Sequence, residues 1–291
     1  MAAPDPTDDE FATLWDAALS GDHAGLEQRL VAGSRLPGPR ANLELAHRFA
    51  DRVGATPPEQ RVAASAALAA WLALPAGEPD PRAEYLAAVA ALAAGALLAA
   101  APDRNADALL TSAARDARWR VRELAATGLQ RVLAADWPRG LAQARAWLSD
   151  GFVTNGRDSR RIATIRDESR AGRDPLLARA AAAAVAEPPL LRDPAHAADA
   201  CRIVAEAVDV LLAVPAPHRR DPDVRVLRKA LGYAVSVVAA ADPDDGVPLL
   251  ERLATSADPD ARWVARENLT KVRLAPLADR LAAARDALTR S

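Results

Sequence analysis

The chain has 291 residues, 51% of them hydrophobic but only 4% aromatic, with a formal net charge of −2 and one cysteine. Those numbers exclude an internal disulfide, which needs a second thiol, and a polyanion binder that works through whole-molecule positive charge. An interior filled with Ala and Leu, both strong helix formers, with strand-forming residues sparse, predicts an all-α protein. The acidic start at Asp5, Asp8, Asp9 and Glu10 lacks the basic and apolar regions of a signal peptide, and the apolar run 86–101 is short for a membrane span of about 20 residues. A soluble cytoplasmic protein with no membrane contact is expected, with Cys201 as a buried structural thiol.

In chain order, apolar 3.6-residue periodicity predicts helices over 9–20, 22–32, 40–53, 57–73, 80–100, 104–114, 117–134 and 137–149. Further helices are predicted over 175–187, 194–213, 222–240, 243–256, 260–273 and 276–289. Six Asp-Pro pairs, at 80–81, 174–175, 193–194, 221–222, 242–243 and 258–259, mark helix starts. The carboxylate caps free amides of the first turn, and proline at the first helical position sacrifices no hydrogen bond. Short turns between these helices predict hairpins in series.

The octapeptide Asp-Ala-Arg-Trp-Arg-Val-Arg-Glu at 116–123 recurs at 260–267 as Asp-Ala-Arg-Trp-Val-Ala-Arg-Glu, with six of eight residues identical. Taking Asp116, Asp174, Asp223 and Asp260 as equivalent positions gives intervals of 58, 49 and 37 residues, of which the last is close to the period of about 40 in HEAT repeats. After the first copy, Val121, Leu124, Ala125, Gly128 and Leu129 fall on one helix face at i, i+3, i+4, i+7 and i+8, the face that must pack. Val-Arg-x-x-Ala-Ala-x-x-Leu after an acidic turn resembles the second helix of a HEAT repeat. The resemblance implies an α-solenoid of HEAT-like helical hairpins over 103–291, preceded by divergent repeats or a cap over 1–102, with an arginine-rich insertion at 150–173.

A sharper likeness lies in Val226-Leu227-Arg228-Lys229-Ala230-Leu231-Gly232-Tyr233, followed by Asp242-Pro243, Leu249-Leu250-Glu251 and Arg266-Glu267-Asn268-Leu269-Thr270-Lys271. This order resembles the bacterial HEAT-like DNA alkylation repair glycosylases, which carry an Arg-Lys-Ala-Ile-Gly-Trp segment. The resemblance implies that Trp119 corresponds to an active-site aromatic, Glu123 to a carboxylate and Arg228 to a residue on the DNA backbone. Here one Trp replaces the family's tandem pair, Glu replaces Asp, and Trp263–Glu267 repeats the spacing of Trp119–Glu123.

Arginine pairs at i, i+4, Arg118 with Arg122 and Arg262 with Arg266, can line one surface with guanidinium groups for phosphate or carboxylate recognition. Their structural role would be to bond acidic turns of neighbouring repeats, for example Arg122 to Asp174 or Arg228 to Asp260. Trp119 and Trp263 are expected to anchor their helices by packing, with stacking on a planar ligand as the alternative. Trp15, Trp71, Trp137 and Trp147 read as core. The insertion, with Arg157, Arg160 and Arg161, reads as a mobile loop suited to an acidic partner. No phosphate-cradling glycine loop, nucleophile elbow or metal-spaced His or Cys pair occurs in the sequence, so no cofactor or metal is expected. The sequence therefore predicts a non-catalytic scaffold for a protein partner, with Arg118, Arg122, Arg228, Lys229, Arg262 and Arg266 as contacts. The alternative is a nucleic-acid-binding repair glycosylase using Trp119, Glu123 and Trp263.

Overall fold

The computed structural model describes residues 7–76, 80–149 and 173–290. Among these it contains fourteen α-helices and no strand, so the protein is all-α. The helices fall into two compact units, Met1–Gly140 and Leu141–Ser291. Arg157, Arg160 and Arg161 lie outside the described residues.

The first unit holds α1 (Asp8–Leu19), α2 (Ala24–Gly33), α3 (Leu43–Gly54), α4 (Arg61–Leu72), α5 (Pro81–Ala100), α6 (Arg104–Ala114) and α7 (Trp119–Ala135). Helix α8 (Trp137–Ser149) starts in it and runs into the next. Residue 102 falls between α5 and α6. Helix α5 is apolar all round and is buried all round, every residue from Tyr85 to Leu98 being covered. Helices α2, α3, α4, α6 and α7 pack on it. At 20 residues it is longer than the apolar run read from the sequence and long enough to cross a membrane, but 83% of its most apolar window is buried inside the protein. Gly95 and Gly128 meet where α5 crosses α7, so close that a methyl group on Gly95 would run into the Gly128 backbone. The predicted face Val121, Leu124, Ala125, Gly128 and Leu129 is buried here. Trp15 and Trp71 flank Phe49 at centroid distances of 5.5 and 5.6 Å, an aromatic knot closing α1, α3 and α4.

The second unit holds α9 (Pro175–Val185), α10 (Pro194–Ala213), α11 (Pro222–Ala241), α12 (Pro243–Thr255), α13 (Pro259–Leu269) and α14 (Ala282–Thr289). Here α11 is the central helix, covered by α9, α10, α12 and α13. The buried Asn268 of α13 ties the two together, its Nδ2 donating to the Leu231 carbonyl at 2.8 Å and its Oδ1 accepting from the Ser236 amide at 2.7 Å. Cys201 is buried in α10, and burial together with the charges of Asp242 and Asp245 pushes its thiol up to about 12.

The six Asp-Pro pairs from Asp80 onward all begin helices, and Asp80, Asp174, Asp193, Asp242 and Asp258 cap first-turn amides with their side chains. Asp221 does not; its carboxylate faces His218 at 3.4 Å instead. Three predicted helices, 57–73, 260–273 and 276–289, are shorter than expected. The 57–73 segment opens with a 3-10 turn at Pro58–Gln60, and the last two helices are separated by a 3-10 segment, Val272–Leu277. There the Thr270 hydroxyl bonds the Glu267 carbonyl at 2.7 Å, and Pro276 lacks the amide a continuing helix needs.

Candidate functional site

The two octapeptides enter their helices differently. In the first copy Asp116 precedes α7, and Arg118 folds back on it, Nε to Oδ1 at 2.8 Å and Nη2 to Oδ2 at 2.6 Å. The same guanidinium donates to the carbonyls of Leu72, Leu74 and Ala83 at 3.0, 3.1 and 3.2 Å, so it clamps the end of α4 to the start of α5. With its side chain only 9% exposed, Arg118 is committed inward. Arg122 donates to the carbonyls of Asp116 and Ala117 at 2.6 and 2.8 Å, within its own turn.

Trp119 is not the buried anchor its position in the first turn predicts: it is 53% exposed, with the Arg120 guanidinium 4.3 Å above its ring. Arg120 is held there by Glu84 at 2.9 Å. Trp119 and Glu123 line one cavity of about 610 Å³, together with Tyr85, Arg35, Arg40 and Glu44. The size is that of a small-molecule pocket. The resemblance-derived aromatic and carboxylate of this unit are therefore brought together at one open cavity.

In the second copy Asp258-Pro259 starts α13 ahead of the octapeptide, so Asp260 sits inside the first turn. The motif is thus one turn further into its helix than in α7. Asp258 and Asp260 put two carboxylates at a helix N-terminus, and Arg219 meets both, Asp258 at 2.9 Å and Asp260 at 3.1 Å. Arg219 also donates to the carbonyls of Leu212 and Val214 at 2.8 and 2.6 Å, closing the end of α10. Burial pushes the Asp258 carboxyl up, but bonds from Arg219 and from the amides of Ala261 and Asp260 outweigh this and hold it below its ordinary value. The expected Arg228–Asp260 pair forms at 3.1 Å. Arg219 has no counterpart in the sequence-derived set; two carboxylates in one helix turn, which demand a cation, were the signal for it.

Trp263 packs over Gly232, its Cζ3 standing 3.0 Å from where a methyl group there would sit, and the Arg228 guanidinium lies 4.0 Å above its ring. Arg262 makes two long bonds, to the carbonyls of Ala254 and Ala287 at 3.3 and 3.4 Å, and Arg266 is exposed in the last turn of α13. Between α11 and α13 runs an open cavity of about 690 Å³ lined by Arg225, Arg228, Lys229, Trp263, Glu267 and Lys271. A second cavity of about 750 Å³ continues it, sharing Tyr233 and Lys271 and lined by Leu191, Val237 and Val272.

The cations of this groove stand out by residue type. Of 37 Lys and Arg residues in the chain only Lys229 and Lys271 are lysines, and both line it. Among the described residues, the side chains of Arg225, Lys229 and Lys271 form no ion pair, like Arg192, Arg220, Arg262 and Arg266 of the same unit and unlike Arg219, Arg228, Arg252 and Arg280. Tyr233, 49% exposed, carries the Arg273 guanidinium 4.4 Å above its ring. The groove is therefore a mainly cationic and aromatic surface: Arg228 is paired with Asp260 and Glu267 adds one carboxylate to the lining, while Arg225, Lys229 and Lys271 gather there outside any ion pair.

Sequence reasoning found Arg228, Lys229 and Trp263 but missed Arg225, Tyr233 and Lys271. It grouped Trp119, Glu123, Trp263 and Arg228 as one constellation; Trp119 and Glu123 belong to the first unit, Trp263 and Arg228 to the second. No protein-family model matches the chain, and no curated protein or solved structure is similar to it.

Proposed function

We propose that the chain is a non-catalytic interaction module, a solenoid of HEAT-like hairpins, that binds a protein partner through the groove between α11 and α13. The hairpin reading is supported by a repeated order of elements: a 20-residue helix opened by Asp-Pro, a shorter helix, then the octapeptide, seen in α5–α7 and again in α11–α13. The binding reading is carried by the gathering of Arg225, Lys229 and Lys271, none of them ion-paired, in one groove that holds a single carboxylate, Glu267. Like charges gathered in one groove repel each other and give the fold nothing, while they steer and orient a partner of opposite sign. The test is capture of the partner on the full chain followed by amine-reactive cross-linking. Cross-links should run through Lys229 or Lys271, and Lys229→Glu with Lys271→Glu should abolish capture while leaving the melting temperature unchanged. Undiminished capture by that double variant contradicts the proposal.

One observation favours a second reading, a repair glycosylase: the half-exposed Trp119 shares a cavity with Glu123. There Trp119 would stack on an extruded alkylated base and Glu123 would supply the carboxylate. Release of alkylated purine from duplex DNA that is lost in Glu123→Gln would establish it, and no release is expected under the first reading.

A further inference from the structure

We infer that the α11/α13 groove takes a short acidic peptide segment ending in an aliphatic anchor; this rests on the interaction reading above and names its ligand. Arg225, Lys229, Tyr233 and Val237 follow one another at four-residue intervals, so they form a single stripe along one face of α11. From Arg225 to Ala241 that stripe runs about 24 Å at about 1.5 Å per residue. An extended segment of about seven residues, at about 3.3 Å each, spans it.

The two ends of the groove differ in chemistry. One is cationic, with Arg225, Lys229 and Lys271 beside the Trp263 ring. The other carries the chain's most exposed large aliphatic side chain among the described residues, Val272 at 87%, over the buried Leu191 and Val237, with Arg273 drawn over the Tyr233 ring beside it. Tyr233 and Lys271 belong to both, so one ligand can lie across the junction. Carboxylates complement the first end, a local cluster of cations in a chain whose formal net charge is −2. An aliphatic side chain complements the second, and an exposed valine there gains from being covered. A sugar-phosphate backbone would use the cationic half and leave the aliphatic half without a partner, which favours peptide over nucleic acid. The polarity follows: acidic residues over Lys229, anchor against Val272.

The chain's two lysines make the test direct. Reductive methylation with labelled formaldehyde keeps their charge and gives two side-chain NMR reporters, both in the groove. The probes are the fluorescein-labelled peptide Glu-Glu-Asp-Glu-Gly-Leu-Val-Leu, the same peptide with Ser for its aliphatic residues, its Lys-for-acid counterpart, and a 16-nucleotide oligothymidylate. The acidic-aliphatic peptide should bind the full chain and shift both lysine signals. Its affinity should fall about tenfold or more in Lys229→Glu and again in Val272→Asp, both at exposed positions, and for the Ser-substituted peptide. Binding indifferent to Val272→Asp overturns the anchor and with it the proposal. Tighter, lysine-shifting binding of the oligonucleotide or the basic peptide overturns the acidic ligand but leaves the groove as an interaction surface. If no probe shifts the lysines, the acidic peptide is overturned, and the interaction reading falls with it only when captured partner also leaves Lys229 and Lys271 untouched.

Discussion

The two octapeptide copies share six of eight residues and lead different lives. In α7 the arginine is the structural member, buried on Asp116 and three carbonyls, and the tryptophan is half exposed. In α13 the arginine is loosely held, and the tryptophan is packed on Gly232 beneath Arg228. The difference comes from two residues of context: Asp258-Pro259 starts α13 a turn earlier relative to the motif, which puts Asp260 in the first turn, where Arg219 and Arg228 meet it. Local sequence decides where a helix begins; the neighbouring helix decides what each side chain does.

The central crossings differ in the same way and give the largest predicted effect. Gly95→Ala forces a methyl group into the Gly128 backbone, with no flexible side chain to yield, and should destabilise the first unit by about 3 kcal/mol in denaturant unfolding. Gly232→Ala in the second unit meets the tip of the Trp263 ring and, less closely, the Glu267 Cβ, both side-chain atoms, and its gain in helix propensity of about 1 kcal/mol offsets the crowding, so stability should change little while Trp263 fluorescence shifts. The arginines sharpen the contrast. Arg118→Ala strands a half-buried carboxylate and three carbonyls and should cost about 3 kcal/mol, whereas Arg262→Ala, losing two long bonds, should cost less than about 1 kcal/mol. Asn268→Leu leaves the Ser236 amide and Leu231 carbonyl without their bridge and should cost about 2 kcal/mol.

Smaller effects separate the units by pH. Asp258 is held below its ordinary value of 3.8, so its contribution to the second unit is complete above that pH and is lost as pH falls through the lower folded value; Asp258→Asn should flatten that part of the acid-unfolding curve. In the first unit, burial and the charge of Arg131 hold His47 below 6.5 against the opposing pull of Asp51. The unfolded chain then takes up a proton that the fold resists, so stability should decline as pH falls below 6.5, a slope that His47→Gln removes.

Much of this architecture was legible in the sequence because capping is local: the six Asp-Pro pairs from Asp80 onward each start a helix. Trp119 was misjudged because its exposure depends on what lies across from the first turn of α7, a long-range fact. The groove was half legible. Arg228 and Lys229 stand together in a recognisable segment, but Lys271 follows α13 and Tyr233 joins it only through the crossing of α11 with α13. The Asn268 bridge that fixes that crossing looks, in sequence, like an ordinary polar residue of a helix.

The central claim, that the α11/α13 groove is the binding surface, is tested most directly by mass-spectrometric rates of amine acetylation at Lys229 and Lys271 in the full chain, free and partner-bound. The account predicts that both lysines react readily in the free protein and become protected together, with matching dependence on partner concentration. Saturating partner that leaves both rates unchanged would contradict it.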